Sequence, residues 1–159
     1  MNVKQLTRNG VFILSLISSL RLAPTLTAQT VYEDYTFVNL AGAGTAGAGW
    51  FDGFGNSARF NTPGAIARDG NGNLYVADSK NNTVRKITLD GRVTTLAGLS
   101  GVVGSGDGLG GTATFNSPFG VAVDGGGNVY VGDSANNTIR KISPGGVVTT
   151  LAGLAGAPG

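Results

Sequence analysis

The stretch FNTPGAIARDGNGNLYVADSKNNTVRKITLDGRVTTLAGLSGVVG at residues 60–104 returns 55 positions later, without a gap, as FNSPFGVAVDGGGNVYVGDSANNTIRKISPGGVVTTLAGLAGAPG at residues 115–159. A fixed internal period of this size means a repeat architecture, in which each unit buries its apolar faces only by stacking on a neighbour. The identities gather in four short β-type runs per copy, each bounded by Gly, Asn, Asp or Pro. They lie at 65–68, 74–79, 83–88 and 93–97 in the first copy, and at 120–123, 129–134, 138–143 and 147–152 in the second.

The connections between the runs are too short for anything but antiparallel hairpins. Asp69-Gly70-Asn71-Gly72-Asn73, Lys80-Asn81-Asn82 and Leu89-Asp90-Gly91 are rich in residues that tolerate left-handed backbone. No sustained helical stripe is present. In Leu74-Tyr75-Val76-Ala77 and Val129-Tyr130-Val131-Gly132 neither alternating set is polar, as expected for a strand covered on both faces. The fold class is therefore all-β: β-propeller blades of four antiparallel strands.

The run from Pro63 to Ile87, repeated from Pro118 to Ile142, has the form P-x-G-[IV]-A-x-D-x-x-G-N-[LV]-Y-V-A-D-S-x-N-x-x-[IV]-R-K-I with small changes. This pattern resembles the NHL repeat. The trailing V-T-T-L-A-G, a glycine-rich stretch with D-G, and then A-x-F-N are similar to the longer repeats of secreted NHL proteins and of the teneurin NHL region. The resemblance implies a propeller, commonly six-bladed, and no single activity. Two full blades are fewer than the roughly four to eight of a closed ring. An extra strand is expected at 35–41, where YTFVNLAG matches the fourth-strand segment VTTLAG. An incomplete propeller is thus expected, either a fragment of a longer one or a chain that self-assembles to complete a ring.

Lys4 and Arg8 precede an apolar run at 11–20, and Ala28 closes a stretch of small and polar residues. That arrangement predicts a secretory signal peptide at 1–28, with an apolar run too short to span a bilayer. The chain then divides into an extra strand and glycine-rich connection at 29–59, a first blade at 60–114 and a second at 115–159, which stops in the following loop. The expected localisation is secreted, periplasmic or cell-surface. Removing Lys4, Arg8 and Arg21 turns the formal net charge of +2 into −1, eight basic against nine acidic residues. No nucleic-acid partner is expected from a chain without clustered cations. The absence of Cys excludes disulfides and a lipid-modified cysteine.

Motifs that look chemical read better as scaffold. Gly42-Ala43-Gly44-Thr45-Ala46-Gly47 fits G-x-G-x-x-G, but no helix start follows it. Asp69-Gly70-Asn71-Gly72-Asn73 begins like a calcium loop and lacks its Gly and distal Glu. Asp78 with Arg85, and Asp133 with Arg140, recur at identical spacing and predict a bidentate bond that fixes each blade. With no His and no Cys, the usual nucleophile bases and soft metal ligands are missing. No catalytic residue, cofactor or metal is assigned. The expected role is a non-catalytic binding or structural scaffold for a protein or carbohydrate partner, with Trp50-Phe51-Asp52-Gly53-Phe54 as the most individual surface. The alternative is a piece of a lactonase- or lyase-type propeller enzyme whose catalytic residues lie in other blades.

Overall fold

A computed structural model describes residues 39–42 and 47–157. These belong to the compact unit Phe37–Gly159. The expected signal peptide at 1–28 lies outside the described residues, as does most of the strand expected at 35–41. Residues 39–42 form no strand. Among the described residues no helix is long and apolar enough to cross a membrane.

Among the described residues, ten strands build two antiparallel sheets of five. They run in order β1 (Gly53–Phe54), β2 (Pro63–Arg68), β3 (Leu74–Asp78), β4 (Thr83–Ile87), β5 (Arg92–Ala97), β6 (Gly108–Leu109), β7 (Pro118–Val123), β8 (Val129–Asp133), β9 (Thr138–Ile142) and β10 (Val147–Ala152). The first sheet is ordered β1-β5-β4-β3-β2 and the second β6-β10-β9-β8-β7. Each sheet is therefore one blade, with four long strands where the hairpin signals place them.

Each blade also has a fifth strand of two residues, β1 or β6, paired with the outer strand. These short strands lie upstream of the boundaries expected at residues 60 and 115. Gly53–Phe54 belongs to the first blade although it lies in the 29–59 connection, and Gly108–Leu109 belongs to the second although it lies within 60–114. The physical reason is an ion pair immediately before each short strand, described below, which draws the connection onto the blade edge.

The β3–β4 turns are single 3-10 turns, Ser79–Asn81 and Ser134–Asn136, each closed by an asparagine in the left-handed region. Asn82 has φ 55° and Asn137 φ 57°. Asparagine tolerates that conformation better than most residues, which explains the repeated Asn-Asn pair.

Tyr75, Val84 and Ala97 of the first blade share one apolar cluster with Phe115, Val129, Val131, Ile142 and Val148 of the second. One core therefore lies between the blades, and a second, of Ala58, Val76, Ile87 and Val93 with Ala41 and Phe60 packed on it, covers the other face of the first blade. Polar contacts seal the joint: Ser79 Oγ donates to the Pro118 carbonyl at 2.6 Å, and the Ser117 N–H donates to Asn82 Oδ1 at 2.9 Å.

Candidate functional site

The residue that organises each blade is an arginine on its third long strand. Arg85 on β4 and Arg140 on β9 are fully buried, so each guanidinium needs acceptors inside the protein. Arg85 Nη1 donates to Asp78 Oδ2 at 2.9 Å and to the Arg59 carbonyl at 2.9 Å. Its Nη2 donates to Asp52 Oδ1 at 2.6 Å and to the Phe51 carbonyl at 3.1 Å. Arg140 repeats the pattern with Asp133, Asp107 and the carbonyls of Thr114 and Gly106. The rings of Phe60 and Phe115 lie 5.1 and 5.0 Å from the two guanidinium carbons, within reach of a cation–π attraction.

The structure thus brings Asp78 to Arg85 and Asp133 to Arg140, with different geometry from the one expected. A bidentate bond to one carboxylate is replaced by a fork between two. The missed partners, Asp52 and Asp107, sit 55 residues apart beside the short fifth strands, so the same period that revealed the blades carries them too. The fork wins because Asp78 is already committed elsewhere. Its Oδ1 accepts the Asn61 N–H at 2.7 Å and its Oδ2 accepts the Asn81 amide at 2.7 Å, which leaves Nη2 free to hold the incoming connection.

Burial pushes the Asp78 carboxyl up from its usual range, against the pull of the Asn61 N–H, the Asn81 amide and Arg85. Both Nη atoms of each arginine and both oxygens of Asp78 are committed to partners, although the buried Nε atoms of Arg85 and Arg140 have none; the arrangement fits a structural hub. Among the described residues no cluster of three or more Asp or Glu side chains could hold a metal ion.

A second repeated device is the β2–β3 turn. Asp69 Oδ1 accepts the N–H groups of Asn71 and Asn73, both at 2.9 Å, while Oδ2 accepts the Asn73 amide at 2.8 Å and the Tyr75 hydroxyl at 3.1 Å. Asp124 does the same with Gly126, Asn128 and Tyr130. The turn that resembled half a calcium loop therefore commits one carboxylate oxygen to its own backbone and the other to neighbouring Asn and Tyr side chains.

The Asn73 side chain leads in holding Asp69 below its usual value of 3.8, and the Asn128 side chain does so for Asp124. A lowered folded value contributes stability that is present above 3.8 and lost as pH falls through the folded value. Asp78 works in the opposite sense: with its folded value raised, its contribution is present below 3.8 and lost as pH rises through the folded value. The Asp69→Asn, Asp124→Asn double variant should therefore show a shallower loss of stability below pH 3.8 than the parent chain. Urea midpoints measured across the acid range check this, and identical acid limbs would contradict it.

The feature that the repeat does not explain lies beside Asp52. Trp50 and Phe51 stack with ring centroids 4.8 Å apart and planes 22° apart, yet they remain 55% and 54% exposed. Their counterparts in the second blade are Ser105 and Gly106. The pair walls a cavity of about 480 Å³, completed by Asp52, Thr95, Gly98, Leu99 and Ser100. Thr95 Oγ1 donates to Asp52 Oδ1 at 3.0 Å, and the Thr95 N–H donates to Oδ2 at 3.1 Å. Asp52 therefore joins the buried hub to this open cavity.

Residues 60–87 and 115–142 match the NHL repeat. None of the curated proteins matches the chain. Among solved structures it is similar to a protein of unknown function from Bacteroides thetaiotaomicron, at 36% identity and TM-score 0.55 over 57% of this chain and 23% of that one. It is also similar to an auxiliary nutrient binding protein from the same organism, at 28% identity and TM-score 0.59 over 71% of this chain and 28% of that one. A third, an auxiliary nutrient binding protein from Bacteroides ovatus, shows 32% identity and TM-score 0.54 over 67% of this chain and 27% of that one. The chain spans about a quarter of the length of these proteins.

Proposed function

We propose that this chain, with its two NHL repeats, is an exported, non-catalytic binding module that takes a carbohydrate on the Trp50–Phe51 platform. The observation that carries the reading is an exposed aromatic stack set against an acceptor-rich edge. Apolar C–H faces of a sugar ring rest on aromatic faces, and its hydroxyls need acceptors and donors at the rim. Asp52, Thr95 and Ser100 supply that rim. The cavity falls within the roughly 300–1,000 Å³ of small-ligand sites.

Three further observations support the reading. The two arginine hubs hold Asp52, Asp78, Asp107 and Asp133 in structural pairs. Two of the similar solved structures are nutrient binding proteins. The pattern of Lys4, Arg8 and the apolar run at 11–20 suits export to where such ligands are met.

Retention on a panel of immobilised oligosaccharides tests the proposal. At least one neutral glycan should retain the chain, and Trp50→Ala should weaken that retention about tenfold or more with the thermal melt unchanged. Retention that survives Trp50→Ala unaltered would place the site elsewhere, and retention by no glycan would refute a carbohydrate ligand.

A further inference from the structure

A second cavity, of about 320 Å³, lies in the joint between the two blades, beside the β2–β3 and β7–β8 turns. It shares no lining residue with the Trp50 cavity. Its near wall comes from the first blade, with Asp69 and Asn71 of the β2–β3 turn, Tyr75 on β3 and Lys86 on β4. Its far wall comes from the second blade, with the glycines at 125–127 and Ser143 of the β9–β10 turn.

Hydrogen-bond donors and acceptors are out of balance in this cavity. Tyr75 and Lys86 face each other across β3 and β4, and the Lys86 ammonium sits 5.7 Å from the Tyr75 ring centroid. Among the described residues no carboxylate pairs with Lys86. Its side chain is half-buried, where a counter-ion is screened less than at the surface. The Asn71 amide also has no partner among the described residues. Ser143 Oγ accepts the Val147 N–H at 3.1 Å, which leaves its own hydrogen to donate. The carboxylate is spent by contrast, since each oxygen of Asp69 already accepts two donors from the turn and Tyr75. A ligand entering here meets an ammonium, an amide and a hydroxyl, a set that favours an acceptor-rich anion.

A difference between the two copies keeps the far wall clear. Gly126 stands where the first blade has Asn71. The turns are otherwise alike: the Asn71 and Gly126 N–H groups each donate to the turn aspartate at 2.9 Å, and Gly72 and Gly127 have φ 88° and 79°. Gly126 is not in the left-handed region, and a Cβ there would first meet the Asp124 and Asn128 side chains, at 3.3 and 3.4 Å. Backbone conformation therefore does not demand glycine at 126, and its effect is to leave room in the cavity that Lys86 lines. Two fixed carboxylates stand near, Asp69 in the near wall and Asp124 at the base of the far turn, so a single negative charge is favoured over a double one.

We propose that this inter-blade cavity binds a small hydroxy monocarboxylate, its carboxylate on the Lys86 ammonium and its hydroxyls on Asn71 and Ser143. The volume is at the lower end of the roughly 300–1,000 Å³ of small-ligand sites, which suits a single acid rather than an oligomer. Both walls belong to the joint within this chain, so the site is complete without a further blade. This inference goes beyond the carbohydrate reading and does not depend on it, because the two cavities share no residue.

Isothermal titration calorimetry of the full chain with lactate, gluconate and glucuronate is the test, with sorbitol and inorganic phosphate as competitors. At least one of the three acids should bind saturably. Neither sorbitol, which has the chain of gluconate without its charge, nor phosphate should displace that acid at equal concentration. Lys86→Met should weaken binding about tenfold or more, the loss of one charge-assisted hydrogen bond. Lys141→Met, the same change outside the cavity, should leave binding as it is. Gly126→Asn keeps the turn that the first copy builds around Asn71, so its circular dichroism should match the parent while its binding weakens. Saturable binding of none of the three acids would overturn the proposal. So would displacement by sorbitol or phosphate, or Lys86→Met and Gly126→Asn chains that bind like the parent.

Discussion

Arg85→Ala is expected to cost about 3–5 kcal/mol, the range for stranding a buried charge by removing its partner. Asp78 is fully buried, and its Oδ2 loses the guanidinium at 2.9 Å. The carbonyls of Arg59 and Phe51 lose donors in the same step. For a folded unit of this size, that cost corresponds to a drop on the order of 20 °C in Tm. Arg85→Lys should recover only part of the loss, because a compact ammonium cannot fork between Asp78 and Asp52 as a planar guanidinium does.

The two carboxylates should differ sharply. Asp52 is 48% exposed in its side chain, so screened solvent takes over much of its role, and Asp52→Ala should cost about 1 kcal/mol or less through the ion pair. Urea denaturation of the single variants and of the Arg85→Ala, Asp78→Ala double variant measures this. The double variant should be markedly more stable than the summed single losses imply. Strict additivity would mean that the pair is not coupled.

Gly98→Ala is expected to destabilise by about 3 kcal/mol or more, from left-handed strain together with overpacking. Gly98 has φ +101°, and a Cβ there would drive into the Asn82 carbonyl oxygen and sit 2.9 Å from the Thr83 Cα. Both obstacles are backbone of the same blade, at the start of β4, so no side-chain rotation relieves them. Gly153→Ala should behave alike, since its Cβ would meet the Asn137 carbonyl oxygen. Gly111→Ala is the control, with nothing within 4 Å of its Cβ. Chemical denaturation of the three variants tests the claim, and a Gly98→Ala chain as stable as Gly111→Ala would contradict it.

The four long strands of each blade were legible because short β-type runs, Gly and Asn turns and the 55-residue period all point to the same register. Asp78 and Arg85 were legible as a pair for the same reason, since they recur together at Asp133 and Arg140. The fork was not, because a spacing between two residues carries no record of a third partner far away in sequence. Asp52 and Asp107 could have been found by carrying the period upstream through Asp-Gly at 52–53 and 107–108. Trp50, Phe51 and Phe54 hid the match by facing Ser105, Gly106 and Leu109. The two-residue strands escaped for a related reason: a strand that short has no periodicity to read, and an ion pair beside it, rather than its own propensity, holds it in place. The Trp50–Phe54 stretch was legible as the most individual surface, but its cavity was not, because the other wall, Thr95 to Ser100, is brought alongside only by the fold.

Trp50 is the only tryptophan in the chain, so its fluorescence reports directly on the platform. A neutral oligosaccharide that retains the chain should shift its emission saturably toward the blue and shield it from iodide quenching. The Ser100→Ala variant should bind more weakly with the same spectral end point. Saturable glycan binding that leaves the emission and the quenching of Trp50 unchanged would contradict the platform as the binding site.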